Sequence, residues 1–262
     1  TDDGKDYTYV WDAFNRLKQV STRGGSPALV AEYRYNGLNF RIATHYDVTD
    51  NGTKNQPNGI VNADDPWYYF GYTERWQMLG TRRGSDSSVK ERFVNHNAGL
   101  GGRGSSSYID DVILRDRDAN TAWASAADGT LEERRYLCQN WRHDVSAVIS
   151  DTGKVVETVK YSSYGVPFGM PAGDTDSNGT WDATDSALMA GGTSTSDPRI
   201  DANQDGVKDS ADVTWANSIT SSYQTLGRGI MSSSGVDNRK GYAGYELDPA
   251  LVGSKEHNRF RT

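Results

Sequence analysis

Residues Tyr33-Arg34-Tyr35-Asn36-Gly37-Leu38-Asn39-Phe40-Arg41-Ile42 alternate large and polar side chains, break at turn formers, then alternate again. A period of two puts the rings on one face of a strand, and Asn-Gly tolerates the positive φ of a tight hairpin. The stretch therefore reads as strand, turn, strand with Asn36-Gly37 at the turn. Tyr7-Thr8-Tyr9-Val10-Trp11-Asp12-Ala13-Phe14-Asn15-Arg16-Leu17 has the same form, with Tyr7, Tyr9 and Trp11 on one face, and Tyr69 to Trp76 is a degraded third copy. Further on, Val145, Ala147 and Ile149 precede Asp151-Thr152-Gly153, and Val155, Val159 and Tyr161 follow on one face. The expectation is an all-β protein, an extended antiparallel sheet of hairpins whose aromatic stripe is core.

Composition supports short strands over helices. The 262 residues are 35% hydrophobic, with 28 Gly, 15 Tyr and 7 Trp, which suits turns and pleated surfaces. No apolar run is long enough to span a bilayer, and the single Cys138 rules out an intramolecular disulfide.

The charge is uneven. Between Gly173 and Ala216 nine Asp face only Arg199 and Lys208, a net −7, whereas the other 218 residues balance 26 acidic against 26 basic groups. So many carboxylates repel one another unless a cation offsets them. Their spacing names the cation. Asp174, Asp176, Asn178, Asp182 and Asp185 occupy positions 1, 3, 5, 9 and 12 of a loop with Gly179 at position 6, and Thr180 at position 7 offers its carbonyl. The frame recurs 27 residues on as Asp201, Asn203, Asp205, Gly206, Val207, Asp209 and Asp212. Calcium takes six to eight hard oxygens on a loop that turns sharply at the sixth residue, so two Ca2+ sites are expected. Position 9 would act directly or through water. Short helical stretches, Ser186 to Ala190 and Val213 to Asn217, should follow the loops.

Position 12 is Asp in both loops rather than the Glu of an EF-hand, and on these residues the segment resembles type I dockerins, secreted calcium modules that often dock onto cohesins. It departs from their pattern at Lys208, where an apolar residue is usual, and at Gly191-Gly192, where the first helix should stop. A calcium brace that orders an insert is therefore the expectation, with cohesin-type docking as the alternative.

The repeats, nearest to pattern at Tyr9 to Leu17, resemble the YD-repeat or Rhs-repeat family. Asn140-Trp141-Arg142-His143-Asp144-Val145 through Gly165, and Gly241-Tyr242-Ala243-Gly244-Tyr245-Glu246-Leu247-Asp248-Pro249, resemble the end of an Rhs core. The resemblance implies β-sheets that coil into shells or spirals in secreted, cell-surface and toxin-delivery proteins. It divides the chain into a repeat sheet over 1–172, a dockerin-like insert over 173–216, and a linker with a terminal hairpin over 217–262.

Catalytic signatures are missing. His45, His96, His143 and His257 fit no metal-protease spacing, no G-x-S-x-G elbow occurs, and the Gly99 to Gly104 match to G-x-G-x-x-G leads into a strand, Tyr108 to Leu114, rather than a helix. Asp110-Asp111 and Glu132-Glu133 are adjacent, so in strands they point to opposite faces. The balanced charge outside the insert lacks the basic stripe of a nucleic-acid binder. The sequence also lacks the cleavage segment with which toxin-delivery members end their shells. The functional expectation is a secreted, non-enzymatic structural protein of the bacterial cell surface, self-associating through sheet edges into a fibre or matrix. A cell-surface docking or adhesion module and the terminal part of a toxin-delivery shell are the alternatives.

Overall fold

The computed structural model describes residues 7–48, 60–96, 111–163, 165–190, 192–220, 226–233, 235–248 and 259–260. Gly99 to Gly104, Asp110, Pro249 and His257 lie outside them. Among the described residues the protein is all-β and antiparallel, with two short α-helices. It divides into two compact units, 1–133 with 245–262, and 134–244.

In the first unit, β1 (Tyr7–Trp11), β2 (Leu17–Thr22), β3 (Leu29–Tyr35), β4 (Arg41–Tyr46), β5 (Trp67–Tyr72), β6 (Met78–Arg83), β7 (Val89–Asn95) and β8 (Val112–Arg117) pair in chain order, each antiparallel to the next. Alternation sends Leu17, Val20, Val30, Ala31, Tyr33, Tyr46, Val48 and Tyr68 into one core, which Trp123 completes and against which Tyr7, Tyr9 and Tyr35 pack. Trp11 departs from the expected face. A bulge shifts the register between Val10 and Trp11, and the indole is 54% exposed.

The second unit holds β9 (Glu133–Gln139, from Arg134 onward), β10 (Val145–Ser150), β11 (Val155–Tyr161) and β12 (Pro167–Pro171), again in chain order. A bulge between Val145 and Ala147 resets the alternation, so the buried positions of β10 are Val145, Val148 and Ser150 rather than Val145, Ala147 and Ile149. The insert follows, with α1 (Ala183–Met189), β13 (Thr193–Ser194), β14 (Val207–Lys208) and α2 (Ser210–Thr220). β15 (Gly227–Arg228) then lies on β12. In the first unit, β16 (Glu246–Leu247) pairs with β17 (Arg259–Phe260).

One turn design recurs. A residue i with a side-chain acceptor closes the loop through its own main chain to residue i+4, and residue i+3 adopts positive φ. The instances are Asp12 with Asn15, Asn36 with Asn39, Thr73 with Trp76, Asn140 with His143, Ser150 with Gly153, and Ser162 with Gly165. In the first four, the side-chain oxygen takes the amides of both i+2 and i+4, as Asn36 Oδ1 does from Leu38 and Phe40 at 2.9 and 3.0 Å. This is the three-residue hairpin with a bulge at the left-handed position. The expected two-residue turn with positive φ at Asn36-Gly37 does not form, because the Asn36 side chain captures the next amides and moves the left-handed residue to Asn39 (φ 71°).

Tyrosines before these turns staple successive hairpins within each unit. The hydroxyls of Tyr35, Tyr72 and Tyr161 donate to the carbonyls of Leu17, Arg41 and Val145 at 2.8, 2.6 and 2.7 Å, in each case the first residue of a preceding strand. Charged groups fill the remaining gaps in the first unit. Lys90, fully buried, meets Asp118 at 2.5 Å, and Arg41 meets Asp248 at 2.6 Å across 207 residues of sequence.

Candidate metal centre

The two Asp-rich loops share their backbone turns and most of their side-chain hydrogen bonds. Residue 4 of each, Ser177 and Gln204, has φ 62°, and the glycines at position 6, Gly179 and Gly206, have φ 90° and 88°, a region that glycine enters without a Cβ penalty. The position-1 carboxylate takes the amides of positions 5 and 6: Asp174 from Asn178 and Gly179 at 3.1 and 2.8 Å, Asp201 from Asp205 and Gly206 at 3.0 and 2.9 Å. The oxygen of position 3, Asp176 or Asn203, takes the amide of position 5 at 3.0 or 2.9 Å. That of position 5, Asn178 or Asp205, takes the amide of Thr180 or Val207 at 2.7 or 2.9 Å.

Position 12 ties each loop to its helix. Asp185 is fully buried in the first turn of α1; its Oδ1 accepts from the Thr175 amide and hydroxyl at 2.8 and 2.9 Å, and its Oδ2 from the Asp182 amide at 2.9 Å. Asp212, also fully buried, accepts from Asn203 and Asp209 at 3.1 and 2.8 Å. Position 9 has a role that the spacing did not reveal. Asp182 and Asp209 accept the amides of Thr184 and Ala211 at 2.7 Å each, and Asp182 is the N-cap of α1 in a reciprocal capping box with Asp185. These first-turn bonds start both helices earlier than the expected Ser186 and Val213.

In the first loop, one oxygen each of Asp174, Asp176 and Asp185 lie within 4.8 Å of one another. Burial, with the neighbouring Asp185 and Asp176 charges, pushes the Asp174 carboxyl up to about 6, against the pull of the Gly179 and Asn178 amides. A convergent set of hard oxygens, one of them on a carboxyl whose ionisation burial penalises, is what a divalent cation relieves, so these residues fit calcium. The second acidic cluster, Asp118, Asp128 and Glu132, differs because the Lys90 ammonium already lies against Asp118. Burial pushes the Cys138 thiol up, away from the thiolate.

The insert has its own small core of Trp181, Met189, Ala202 and Ala216. Gly173 (φ 84°) leads into it where a Cβ would lie 2.8 to 2.9 Å from Met189, Trp181 and Ala216. Lys208 reaches the Leu188 carbonyl near the end of α1 at 3.4 Å, which gives that departure from the dockerin pattern a local use. Asn178, which with Gly179 and Thr180 forms an N-x-T sequence, has its Nδ2 on Asp176 at 3.0 Å in the first loop.

No known family profile matches the chain, and no curated protein matches it. Among solved structures, it is similar to crystal structures of TcdB2-TccC3-Cdc42 and of TcdB2-TccC3, at 12% and 11% identity and TM-scores of 0.42 and 0.43, over 95% and 94% of this chain. A Tc holotoxin pore from Photorhabdus luminescens matches 61% of it at 15% identity, TM-score 0.36. The chain spans 8%, 8% and 6% of the length of these three proteins.

Proposed function

We propose that this chain is a section of the wall of a YD-repeat sheet, of the kind that toxin-delivery shells are built from, and that its dockerin-like insert binds two calcium ions as a structural brace outside the cell. The observation that carries the calcium reading is the congruence of the loops: two segments 27 residues apart present the same acceptors to the same positions. Asp174, Asp176, Asn178, Asp185 and the Thr180 carbonyl would hold one ion. Asp201, Asn203, Asp205, Asp212 and the Val207 carbonyl would hold the other, and Asp182 and Asp209 would reach their ions through water while capping the helices. Bound calcium supplies positive charge that offsets the clustered carboxylates.

The brace is favoured over cohesin docking because the insert is already engaged with its own unit: Trp215 Nε1 donates to the Val155 carbonyl at 2.5 Å, and Lys154 lies 4.8 Å over the Trp215 ring. The wall reading draws on the hairpins paired in chain order and on the tyrosine staples, which recur at Tyr35, Tyr72 and Tyr161. Sedimentation velocity in millimolar calcium and after chelation, with electron microscopy of any fast fraction, tests it. A single compact species in calcium is expected. Ordered fast species that disperse on chelation would replace the wall section with a self-associating fibre subunit.

A further inference from the structure

The insert is joined to the sheet through residues of the calcium loops themselves. Gly179, at position 6 of the first loop, accepts the Leu226 amide at 2.6 Å, and it sits so close to the returning chain that a Cβ would lie 2.7 Å from the Gly227 α-carbon. Leu226 leads directly into β15, and residues 226–231 run along the outer edge of β12. Phe168 and Gly169 pair with Arg228 and Gly227, the Gly169 amide donates to the Ile230 carbonyl at 2.9 Å, and the Gly229 amide to the Pro167 carbonyl at 2.9 Å. No side chain fits at Gly169, where a Cβ would come 2.6 Å from the Ile230 carbonyl oxygen. The second loop makes its own main-chain bond, Ala202 carbonyl to Val155 amide at 2.9 Å on β11.

We propose that residues 226–231 are a latch over the edge of β12, and that the first calcium loop holds the latch shut through the Gly179 carbonyl. The inference rests on the calcium reading and adds to it where the brace acts. The far end of the segment is anchored where Met231 is buried and Ser232 and Ser233 bond the Glu157 carboxylate. β15 itself pairs with β12 over only two residues, so the near end is held by the Gly179 carbonyl. Gly179 lies between Asn178 and Thr180, both expected ligands, and loss of the ion loosens the peptide that carries the carbonyl. The Leu226 end of the latch then lifts while its far end stays on Glu157, and the adjoining part of β12 presents unpaired main-chain groups to any other strand. Calcium therefore acts against association at this edge.

Hydrogen exchange of the whole chain, read by mass spectrometry in calcium and after chelation, with calorimetric titration of calcium alongside, tests the latch. The reporters are the amides of Leu226, Gly169 and Gly229, each bonded across the latch; the reference is the turn at Asn140, where the His143 amide bonds the Asn140 carbonyl. At free calcium a hundred times the dissociation constant, exchange at the reporters should slow about a hundredfold while the reference changes little. Slowing confined to 174–185 and 201–212 would overturn the latch and leave the calcium sites standing. Equal slowing at the reference would also overturn it, since calcium would then stabilise the unit as a whole. Absence of calcium binding in the titration would remove the calcium reading and the latch with it.

Discussion

Replacing Asp185 with Asn separates what the loop owes to hydrogen bonding from what it owes to metal. The carboxylate is fully buried and accepts good bonds on both oxygens: the Thr175 amide and hydroxyl on Oδ1, the Asp182 amide on Oδ2. An amide offers one oxygen and one NH2, so either the Asp182 or the Thr175 N–H must face a donor. Leaving one buried donor unsatisfied costs about 1–3 kcal/mol, and this loss appears without calcium. In calcium at about a thousand times the dissociation constant, each site of the native protein gains roughly 4 kcal/mol by mass action, which the altered first loop forgoes. Urea denaturation with and without calcium measures both. The variant should be weaker by about 1–3 kcal/mol in chelator, and the gap should widen by several kcal/mol in calcium, with Asp212→Asn behaving alike. A gap of the same size in both buffers would refute the assignment of position 12 as a ligand.

Other consequences follow from the same contacts. Asn36→Ala removes the acceptor for two turn amides and should cost about 1–2 kcal/mol in chemical denaturation; no loss would mean that the turn does not depend on that side chain. Tyr72→Phe leaves the Arg41 carbonyl without its 2.6 Å donor and should cost about 1 kcal/mol, while near-ultraviolet circular dichroism stays native. Lys90→Met leaves Asp118 buried without its cation and should destabilise by about 3–5 kcal/mol; a neutral result would show that the pair adds nothing. For pH, the folded Asp174 carboxyl titrates near 6, above its ordinary value of 3.8. In chelator its contribution to stability is therefore present at low pH and lost as pH rises through about 6, and calcium-dependent stabilisation should grow over that window. A calcium effect independent of pH between about 4 and 6.5 would contradict that burden on Asp174.

The hairpins were legible because alternation reports directly on which face of a strand is buried. The loops were legible because their frame demands particular residue types at fixed positions whatever surrounds them. What the sequence concealed depends on geometry that spacing does not encode. Asn36-Gly37 looks like a two-residue turn until the Asn36 side chain takes the Leu38 and Phe40 amides. Bulges re-aim Trp11 and Val148 away from the faces that strict alternation assigns. Trp76 adopts φ 63°, a conformation unfavourable for a bulky residue, and stacks on Phe40 with centroids 4.1 Å apart, a contact reaching from one hairpin to the next. The capping roles of Asp182 and Asp209 were hidden behind their roles in the frame. The Arg41–Asp248 pair joins positions 207 residues apart, which no local pattern anticipates.

Isothermal titration of the calcium-stripped whole chain with calcium, repeated on Asp185→Asn, Asp212→Asn and the double variant, tests the central claim most directly. The account predicts two ions per chain, about one in each single variant and none in the double. Absence of binding, or a stoichiometry that the double variant leaves unchanged, would contradict it.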